Sequence, residues 1–394
     1  MATQGSQPSE AELVARARAL IPVLRERAAR QDAHRRILDE TMADLKSAGL
    51  FSVLQPKRWG GYEMSPGAFF DIEMALAEGD TSVGWVYGIL GVHSFHLALF
   101  DDRAAQDVWG QDSSVLVASP YVPGRAVPAA GGYRFTGRWK FSSGTEHCDW
   151  CFLGGAVEGS EAGGFLESRT FLLPRADYEI VDTWHATGLK GTGSQDVVVN
   201  DVFVPEYRTL RNGHTLDGKA PGLSVNDGVL FRYPFWQVFL RAVSSSAIGA
   251  LQASCDAFPE FGRQRVSYSA GSMARDPEAQ MALAEALAGI AEMKLVLHHN
   301  FAAMRPFAER GELPPLQDRL LYKYQTVSVP RRCGDLALAL FRTAGGTGIF
   351  TSQPFGRLLN DILAQGNHGA NSVKGSARNW GAVTMGLDNM DLVL

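Results

Sequence analysis

The spacing of apolar residues along the chain predicts helices in the first zone. Up to about residue 112, apolar positions recur with a helical period of roughly 3.6 residues, and Ser9 with Glu12 forms the pattern of a capping box. Further helices are predicted from near Asp39 to Gly49, over 66–77 and over about 83–99. Residues 1–112 are therefore predicted to form an N-terminal helical domain.

The pattern changes to short runs with strand character in the middle of the chain. Gly, Pro and Asp turns separate these runs. They occupy residues 115–117, 133–135, 150–153, 170–173, 179–181 and 197–204. This alternation predicts a compact, barrel-like β domain over residues 113–215.

Helical periodicity returns in residues 216–394. Long helices are predicted over 237–258, 278–304 and 316–342, where Pro306 is expected to end the second and Pro330 to kink the third. A glycine-rich turn at 345–348 precedes a last short helix. The fold class predicted from the three zones is mainly α with a central β domain and a C-terminal four-helix bundle.

Composition and charge exclude several classes of protein. The 394 residues carry a formal net charge of -5, which does not suit a nucleic-acid partner. The longest apolar stretch, 83–100, contains two histidines and three glycines, so a buried helix is predicted and not a membrane span. We also expect a cytoplasmic protein, because no apolar core of a signal peptide follows the N-terminus. Cys148 and Cys151 form a lone CxxC, so no metal site is predicted.

Three local motifs, in this order and on this architecture, resemble the acyl-CoA dehydrogenase family. They lie at residues 54–61, 132–138 and 188–205. More narrowly, Gly84-Trp85-Val86, Ser142-Ser143-Gly144 and residues 188–194 are similar to one branch of that family. This branch contains the oxygenase components of two-component flavin-dependent monooxygenases, among them steroid-degrading and 4-hydroxyphenylacetate hydroxylases. The resemblance implies the acyl-CoA dehydrogenase fold over essentially the whole chain.

The resemblance also implies where a flavin binds. Reduced flavin and dioxygen form a C4a-hydroperoxide, which survives only if water is excluded and an acceptor holds the flavin N5–H. Ser143 matches the hydroxyl that meets N5, two residues after the aromatic Phe141. Arg265 matches the arginine that meets a flavin phosphate, usually across a subunit interface. The remaining residues expected around the cofactor are Trp85, Ser119, Ser142, Gly346 and Thr347.

A dehydrogenase of this family needs a carboxylate base, and both places where the family carries it are empty here. The first position holds His368, with nothing acidic between Ile362 and Trp380, and residues 235–255 contain no acid. A histidine at this position suits oxygenation, because its pKa lies near the operating pH. We therefore expect His368 to be catalytic. His93 is a second candidate, although a hydrogen-bonded core histidine explains it equally well.

The resulting functional hypothesis is an oxygenase component that hydroxylates a small aromatic substrate of the phenol or indole type with molecular oxygen. We expect reduced FMN, with FAD possible. No GxGxxG nicotinamide motif is present, so a separate NAD(P)H-flavin reductase is expected. The family implies a homotetramer. Two alternatives remain open at this point: an acyl-CoA dehydrogenase with an unrecognised base, and an S- or N-oxygenating enzyme of the same fold.

Overall fold

The computed structural model describes residues 7–121, 124–159, 164, 166–264, 266–267 and 271–394. The N-terminal zone is helical, as predicted, and Ser9 and Glu12 form the expected capping box. Its helices are α1 (Glu10–Ala19), α2 (Ile21–His34), α3 (Asp39–Ser47), α4 (Pro66–Gly79), α5 (Thr81–Ala98) and α6 (Asp102–Trp109). Every residue of α5 is buried, so the apolar stretch of the sequence is the central helix of the protein.

The middle zone is a mixed sheet in which the predicted strands are present. The strands are β1 (Val117–Ala118), β2 (Gly124–Ala129), β3 (Gly132–Ser142), β4 (Trp150–Val157), β5 (Arg169–Pro174), β6 (Glu179–Val181), β7 (Gln195–Pro205) and β8 (Thr209–Arg211). Their order is β6-β7-β3-β2-β4-β5-β8, with β1 parallel to β4. The sequence did not predict β2 and β8. Pro128 interrupts the strand pattern of β2, and β8 has only three residues.

The C-terminal zone is helical apart from a short two-stranded ladder. Its elements are α7 (Phe235–Ala242), α8 (Ser246–Gln264), β9 (Val266–Ser267), β10 (Gly271–Ser272), α9 (Pro277–Arg310), α10 (Leu316–Val327), α11 (Val329–Gly348), α12 (Phe355–Gly366) and α13 (Val373–Thr384). The predicted helix 316–342 is divided at Ser328, and Pro330 lies in the first turn of α11, where its missing N–H costs nothing.

Two helix predictions were wrong. Pro306 does not end a helix but lies inside α9. The carbonyl that it leaves without a donor belongs to Ala302, an exposed residue whose carbonyl water can reach. The predicted helix 237–258 is broken between α7 and α8. The reason is tertiary, since the buried carboxylate of Glu73 accepts the N–H of Ser246 at 2.9 Å and so begins α8 as a new helix.

Helix α5 connects the three zones of the protein. It packs against α4, α7 and α8, and it contacts the β domain through β1 and residues 190–192. Gly88 allows this close packing, because a Cβ atom there would lie 2.8 Å from the carbonyl oxygen of Ala242. Side chains on α5 can therefore meet groups from distant parts of the sequence. Among the described helices, none has the length and apolar character that crossing a bilayer requires.

Candidate active site

Trp85 on α5 brings together two residues that are far apart in the sequence. Its indole Nε1–H donates a hydrogen bond of 3.0 Å to Oγ of Ser143, which follows β3. On its other side the indole ring makes an edge contact with the His368 ring, with the centroids 5.5 Å apart. Ser143 and His368, which the sequence proposed for two separate roles, therefore flank one buried tryptophan.

The backbone at the end of β3 presents Ser143 and an exposed aromatic ring. Phe141 has a φ of 68°, a conformation that costs a non-glycine residue energy, and its side chain is 61% exposed. The amide of Ser143 donates to the carbonyl oxygen of Phe141, which closes a tight turn. Ser142 points the other way, with Oγ 4.0 Å from the sulfur of Cys151 inside the sheet. Its side chain is thus not directed toward Trp85.

Two further hydroxyl groups at this site were not identified from the sequence. The Oγ atoms of Ser143 and Ser194 are 2.7 Å apart, and Thr192 lies 2.7 Å beyond Ser194. The sequence signal for them is the run Gly191-Thr192-Gly193-Ser194, which lies within the family motif at residues 188–194. The side chains of Ser194 and Thr192 are buried, so these contacts are shielded from water.

His368 is a neutral imidazole with a defined tautomer. Its Nδ1 accepts the backbone N–H of Ala370 at 3.2 Å, so the hydrogen of the neutral ring resides on Nε2. Desolvation lowers the pKa of His368 to about 4, although its side chain keeps some contact with the surface. At neutral pH the residue therefore offers one N–H donor beside Trp85.

The two histidines of α5 lie in an aromatic cluster. Nδ1 of His93 is 2.6 Å from the carbonyl oxygen of Val117, which requires the hydrogen on Nδ1 and leaves Nε2 as a buried acceptor that no described residue contacts by a hydrogen bond. His96 contacts the Tyr121 hydroxyl through Nδ1 at 2.9 Å and stacks on Phe235 at 4.3 Å. Its Nε2 is also buried and has no partner in the described structure.

We expect His93 to make the protein sensitive to acid. Burial lowers its pKa from 6.5 to about 4, so between these pH values the unfolded chain binds a proton that the folded state excludes. Its contribution to stability is complete above pH 6.5 and is lost as the pH falls toward 4, by about 1.4 kcal/mol per pH unit. His93→Asn retains an N–H donor near the Nδ1 position but does not titrate.

Urea unfolding at pH 7.5, 6 and 5 measures this effect. The free energy of unfolding of the wild type should fall relative to that of His93→Asn as the pH decreases, because contributions shared by both proteins cancel in the difference. Parallel pH profiles for the two proteins would show that His93 is not held neutral by burial.

The remaining predicted site residues are distributed as follows. The Ser119 hydroxyl is buried and hydrogen-bonds to the phenol of Tyr121, on the histidine side of the site. Gly346 and Thr347 are exposed near the end of α11, after the non-helical backbone of Gly345. Arg265 lies outside the described residues. The structure therefore brings Trp85, Ser143 and His368 together, and leaves Gly346 and Thr347 at the surface.

The buried acid on α12 and the two thiols of the β domain do not form a second reactive centre in the described structure. Asp361 on α12 is buried, and its Oδ1 accepts the N–H of Leu189 at 2.7 Å, so this carboxylate has a structural bond. Cys148 and Cys151 are free, and burial raises the pKa of both thiols. In the parts of the chain that are described, no three His, Cys, Asp or Glu side chains group as metal ligands.

The residues around Trp85 fit a reduced flavin. The hydroxyl oxygen of Ser143 has two lone pairs, and the Trp85 N–H occupies one of them. The other is free to accept an N–H from a ligand. The exposed ring of Phe141 offers an apolar surface next to it, and His368 supplies an N–H donor across Trp85. An acceptor, a flat apolar contact and a neutral donor are the groups that such a ring system requires.

Proteins similar to this chain include oxygenases that depend on flavin. The family model for the acyl-CoA dehydrogenase C-terminal domain matches residues 242–373. The oxygenase subunit HsaA of a flavin-dependent monooxygenase from Rhodococcus jostii (strain RHA1) is 36% identical over 95% of this chain and 99% of that protein. The oxygenase component of an FADH(2)-dependent resorcinol hydroxylase from Rhizobium sp. (strain MTP-10005) is 31% identical over 94% of this chain and 91% of that protein.

A solved structure extends the likeness to the fold. The crystal structure of 3-HSA hydroxylase from Rhodococcus sp. RHA1 matches with a TM-score of 0.91 and 36% identity, over 97% of this chain and 99% of that chain. The similarity thus covers all three zones. The chain belongs to the family of oxygenase subunits of flavin-dependent monooxygenases that share the acyl-CoA dehydrogenase fold.

Proposed function

We propose that this protein is the oxygenase component of a two-component monooxygenase that hydroxylates an electron-rich aromatic ring of the phenol or indole type. The observation that carries the proposal is the convergence of Ser143 and His368 on Trp85. Bound reduced flavin supplies the electrons that activate dioxygen. The protein's own residues hold the flavin N5–H at Ser143 and offer an N–H at His368, and the burial of Trp85 and Ser143 excludes water from the contact at Ser143.

The dehydrogenase alternative needs a carboxylate base, and two buried acids of the helical zones are engaged in hydrogen bonds to backbone amides. Asp361 is bonded to the Leu189 amide, and Glu73 is bonded to the Ser246 amide and fully buried. Burial also raises the pKa of both carboxyl groups, to about 7 for Asp361, and each is held in place by its bond to a backbone amide. His368 occupies the position where the resemblance places a glutamate.

The proposed substrate pocket is the aromatic cluster between α5 and α7. Tyr121 lies 5.3 Å from Phe239 and 6.1 Å from Trp236, measured between ring centroids, and these rings suit a flat apolar molecule. The unpartnered Nε2 of His93 is a buried acceptor at the same cluster. We propose that it accepts a hydrogen bond from the hydroxyl or ring N–H of the substrate. This bond would offset the free-energy cost of burying the acceptor without a partner.

The proposed cofactor is reduced FMN, delivered by a separate NAD(P)H-flavin reductase. The names of the relatives support a separate partner, since they describe an oxygenase subunit or component. FAD remains the alternative, because the resorcinol hydroxylase from Rhizobium is named as FADH(2)-dependent. Anaerobic titration with reduced FMN and reduced FAD distinguishes them, and we expect tighter binding of FMN.

The function is tested by mixing the anaerobic complex of protein and reduced FMN with ¹⁸O₂ in the presence of phenols or indoles. A hydroxylated product that contains ¹⁸O is expected, and mass spectrometry detects it. A matched reaction with a thioether or an amine tests the S- and N-oxygenating alternative. Reduction of bound FAD by an acyl-CoA, without hydroxylation of any aromatic compound, would replace the proposal with a dehydrogenase.

We also propose a homotetramer in which Arg265, Gly346 and Thr347 complete the flavin site of a neighbouring subunit. Sedimentation should give the mass of a tetramer. Arg265→Ala should weaken binding of reduced FMN by roughly ten- to hundredfold, since a phosphate loses a bidentate, charge-assisted contact. Sedimentation of the variant serves as its control, because an intact tetramer separates lost binding from lost assembly. An active monomer, or a variant of unchanged affinity, would contradict this arrangement.

A further inference from the structure

A chain of hydrogen bonds leads from Trp85 through three hydroxyl groups to a backbone carbonyl. Trp85 Nε1 lies 3.0 Å from Ser143 Oγ, and Ser143 Oγ lies 2.7 Å from Ser194 Oγ. Ser194 Oγ is in turn 2.7 Å from Thr192 Oγ1, and Thr192 Oγ1 is 2.9 Å from the carbonyl oxygen of Leu189. All four side chains are buried, so water does not compete for these contacts.

The ends of the chain determine the direction of every hydrogen bond in it. A carbonyl oxygen can only accept, so the single hydroxyl hydrogen of Thr192 is donated to Leu189. Thr192 must then accept from Ser194, and Ser194 must accept from Ser143. The indole of Trp85 can only donate, so it gives its hydrogen to Ser143. Ser143 therefore has no hydrogen left for a ligand and can act toward the flavin only as an acceptor.

The terminal carbonyl is itself held in place. Leu189 adopts a φ of 52°, and its N–H donates to the buried carboxylate of Asp361 at 2.7 Å. Its carbonyl oxygen also accepts the indole N–H of Trp184 at 2.9 Å. A second link joins the two loops, since the amide of Gly144 donates to the carbonyl oxygen of Thr192 at 2.9 Å. The acceptor at the end of the chain thus cannot turn away.

We propose that Thr192 and Ser194 are positioning residues that make this site select reduced over oxidised flavin. The inference rests on the proposed contact between Ser143 and flavin N5. In the reduced ring N5 carries a hydrogen, which an acceptor binds. In the oxidised ring N5 has only a lone pair, which faces the lone pair of Ser143 and gains no hydrogen bond. If the Ser143 hydrogen were free, the hydroxyl could also donate to the lone pair of oxidised N5, and the site would no longer distinguish the two redox states.

The test compares the affinities of oxidised and anaerobically reduced FMN in Ser194→Ala and Thr192→Val. Ser194→Ala removes the acceptor of the Ser143 hydrogen, and Thr192→Val removes the acceptor of the Ser194 hydrogen. In both variants the direction of the remaining hydrogen bonds is no longer fixed by the carbonyl of Leu189. The ratio of the two dissociation constants, oxidised over reduced, is expected to fall by roughly three- to tenfold, which is the effect of one neutral hydrogen bond. The fall should include tighter binding of oxidised FMN, a gain that mere structural damage does not produce.

Two variants serve as controls, and Ser143→Ala tests the proposed contact with flavin N5 itself. Thr192→Ser keeps the hydroxyl, and Ser254→Ala removes a buried hydroxyl that donates to Ala250 on α8, so both should keep the wild-type ratio. If Ser143→Ala lowers the ratio but Ser194→Ala and Thr192→Val do not, the positioning role is wrong while the proposed contact stands. Equal loss of affinity for both redox states in these two variants would also overturn the role. An unchanged ratio in Ser143→Ala would instead contradict the contact with N5.

Discussion

Replacement of His368 by alanine is expected to lower the rate of aromatic product formation by roughly ten- to hundredfold. The change removes the only N–H of the neutral ring, the Nε2–H, from the side chain whose ring contacts Trp85. Loss of one such bond to a reacting group costs on the order of 1–3 kcal/mol. Single-turnover product yield against time, with reduced FMN and saturating oxygen, measures the effect.

Two substitutions separate this chemical role from a structural one. His368 also caps the short turn at 369–371, because Nδ1 accepts the N–H of Ala370. His368→Asn keeps an acceptor for that cap but has no donor at the Nε2 position, and it should be as slow as alanine. His368→Gln places an amide N–H near the Nε2 position and should recover part of the rate. If the asparagine variant matched the wild type, the histidine would only be a cap.

The lowered pKa of His368 predicts that the reaction rate does not change near pH 6.5. A histidine in water changes charge near pH 6.5, but desolvation lowers the pKa of His368 to about 4. The neutral ring therefore predominates above about pH 5, and only as the pH falls through 4 does it become an imidazolium, which adds a charge and removes the Nδ1 acceptor. The rate step that depends on His368 should be level from pH 6 to 8. A titration near pH 6.5 that disappears in His368→Gln would contradict the effect of burial.

Replacement of Ser143 by alanine is expected to uncouple oxygen consumption from product formation. The variant loses the acceptor proposed for flavin N5–H and leaves the buried indole N–H of Trp85 without its partner. Loss of an N5 acceptor favours release of hydrogen peroxide over transfer of oxygen. Oxygen should still be consumed while the yield of product falls on the order of tenfold, for a contact of about 1.4 kcal/mol. Product and peroxide per oxygen consumed are the two measurements.

The control for this variant is Ser254→Ala, which removes an equally buried hydroxyl from α8. Its ratio of product to oxygen should equal that of the wild type. Ser143→Thr retains a hydroxyl oxygen and should recover much of the coupling. Unchanged coupling in Ser143→Ala would place the N5 contact at another residue, whereas peroxide release in both alanine variants would indicate general disturbance of the fold.

The sequence by itself determined the architecture and supplied two candidate site residues. Helical periodicity and strand alternation act over short distances, so they predicted the three zones, the capping box of Ser9 and the burial of α5. The resemblance to the monooxygenase branch pointed to Ser143, and the acid missing from the family's base position pointed to His368, as candidate site residues. Both inferences depend on residue type at a known position, which the sequence states directly.

The tertiary structure decided what these residues contact. The break between α7 and α8 depends on Glu73, which accepts the N–H of Ser246 although it lies 173 residues earlier in the chain. The tautomer of His368 depends on a backbone amide, and the acceptor role of Ser143 depends on Ser194, Thr192 and the carbonyl of Leu189. A hydroxyl group can donate or accept with similar energy. Its direction is therefore decided by the fixed donors and acceptors that folding places at the two ends of the chain.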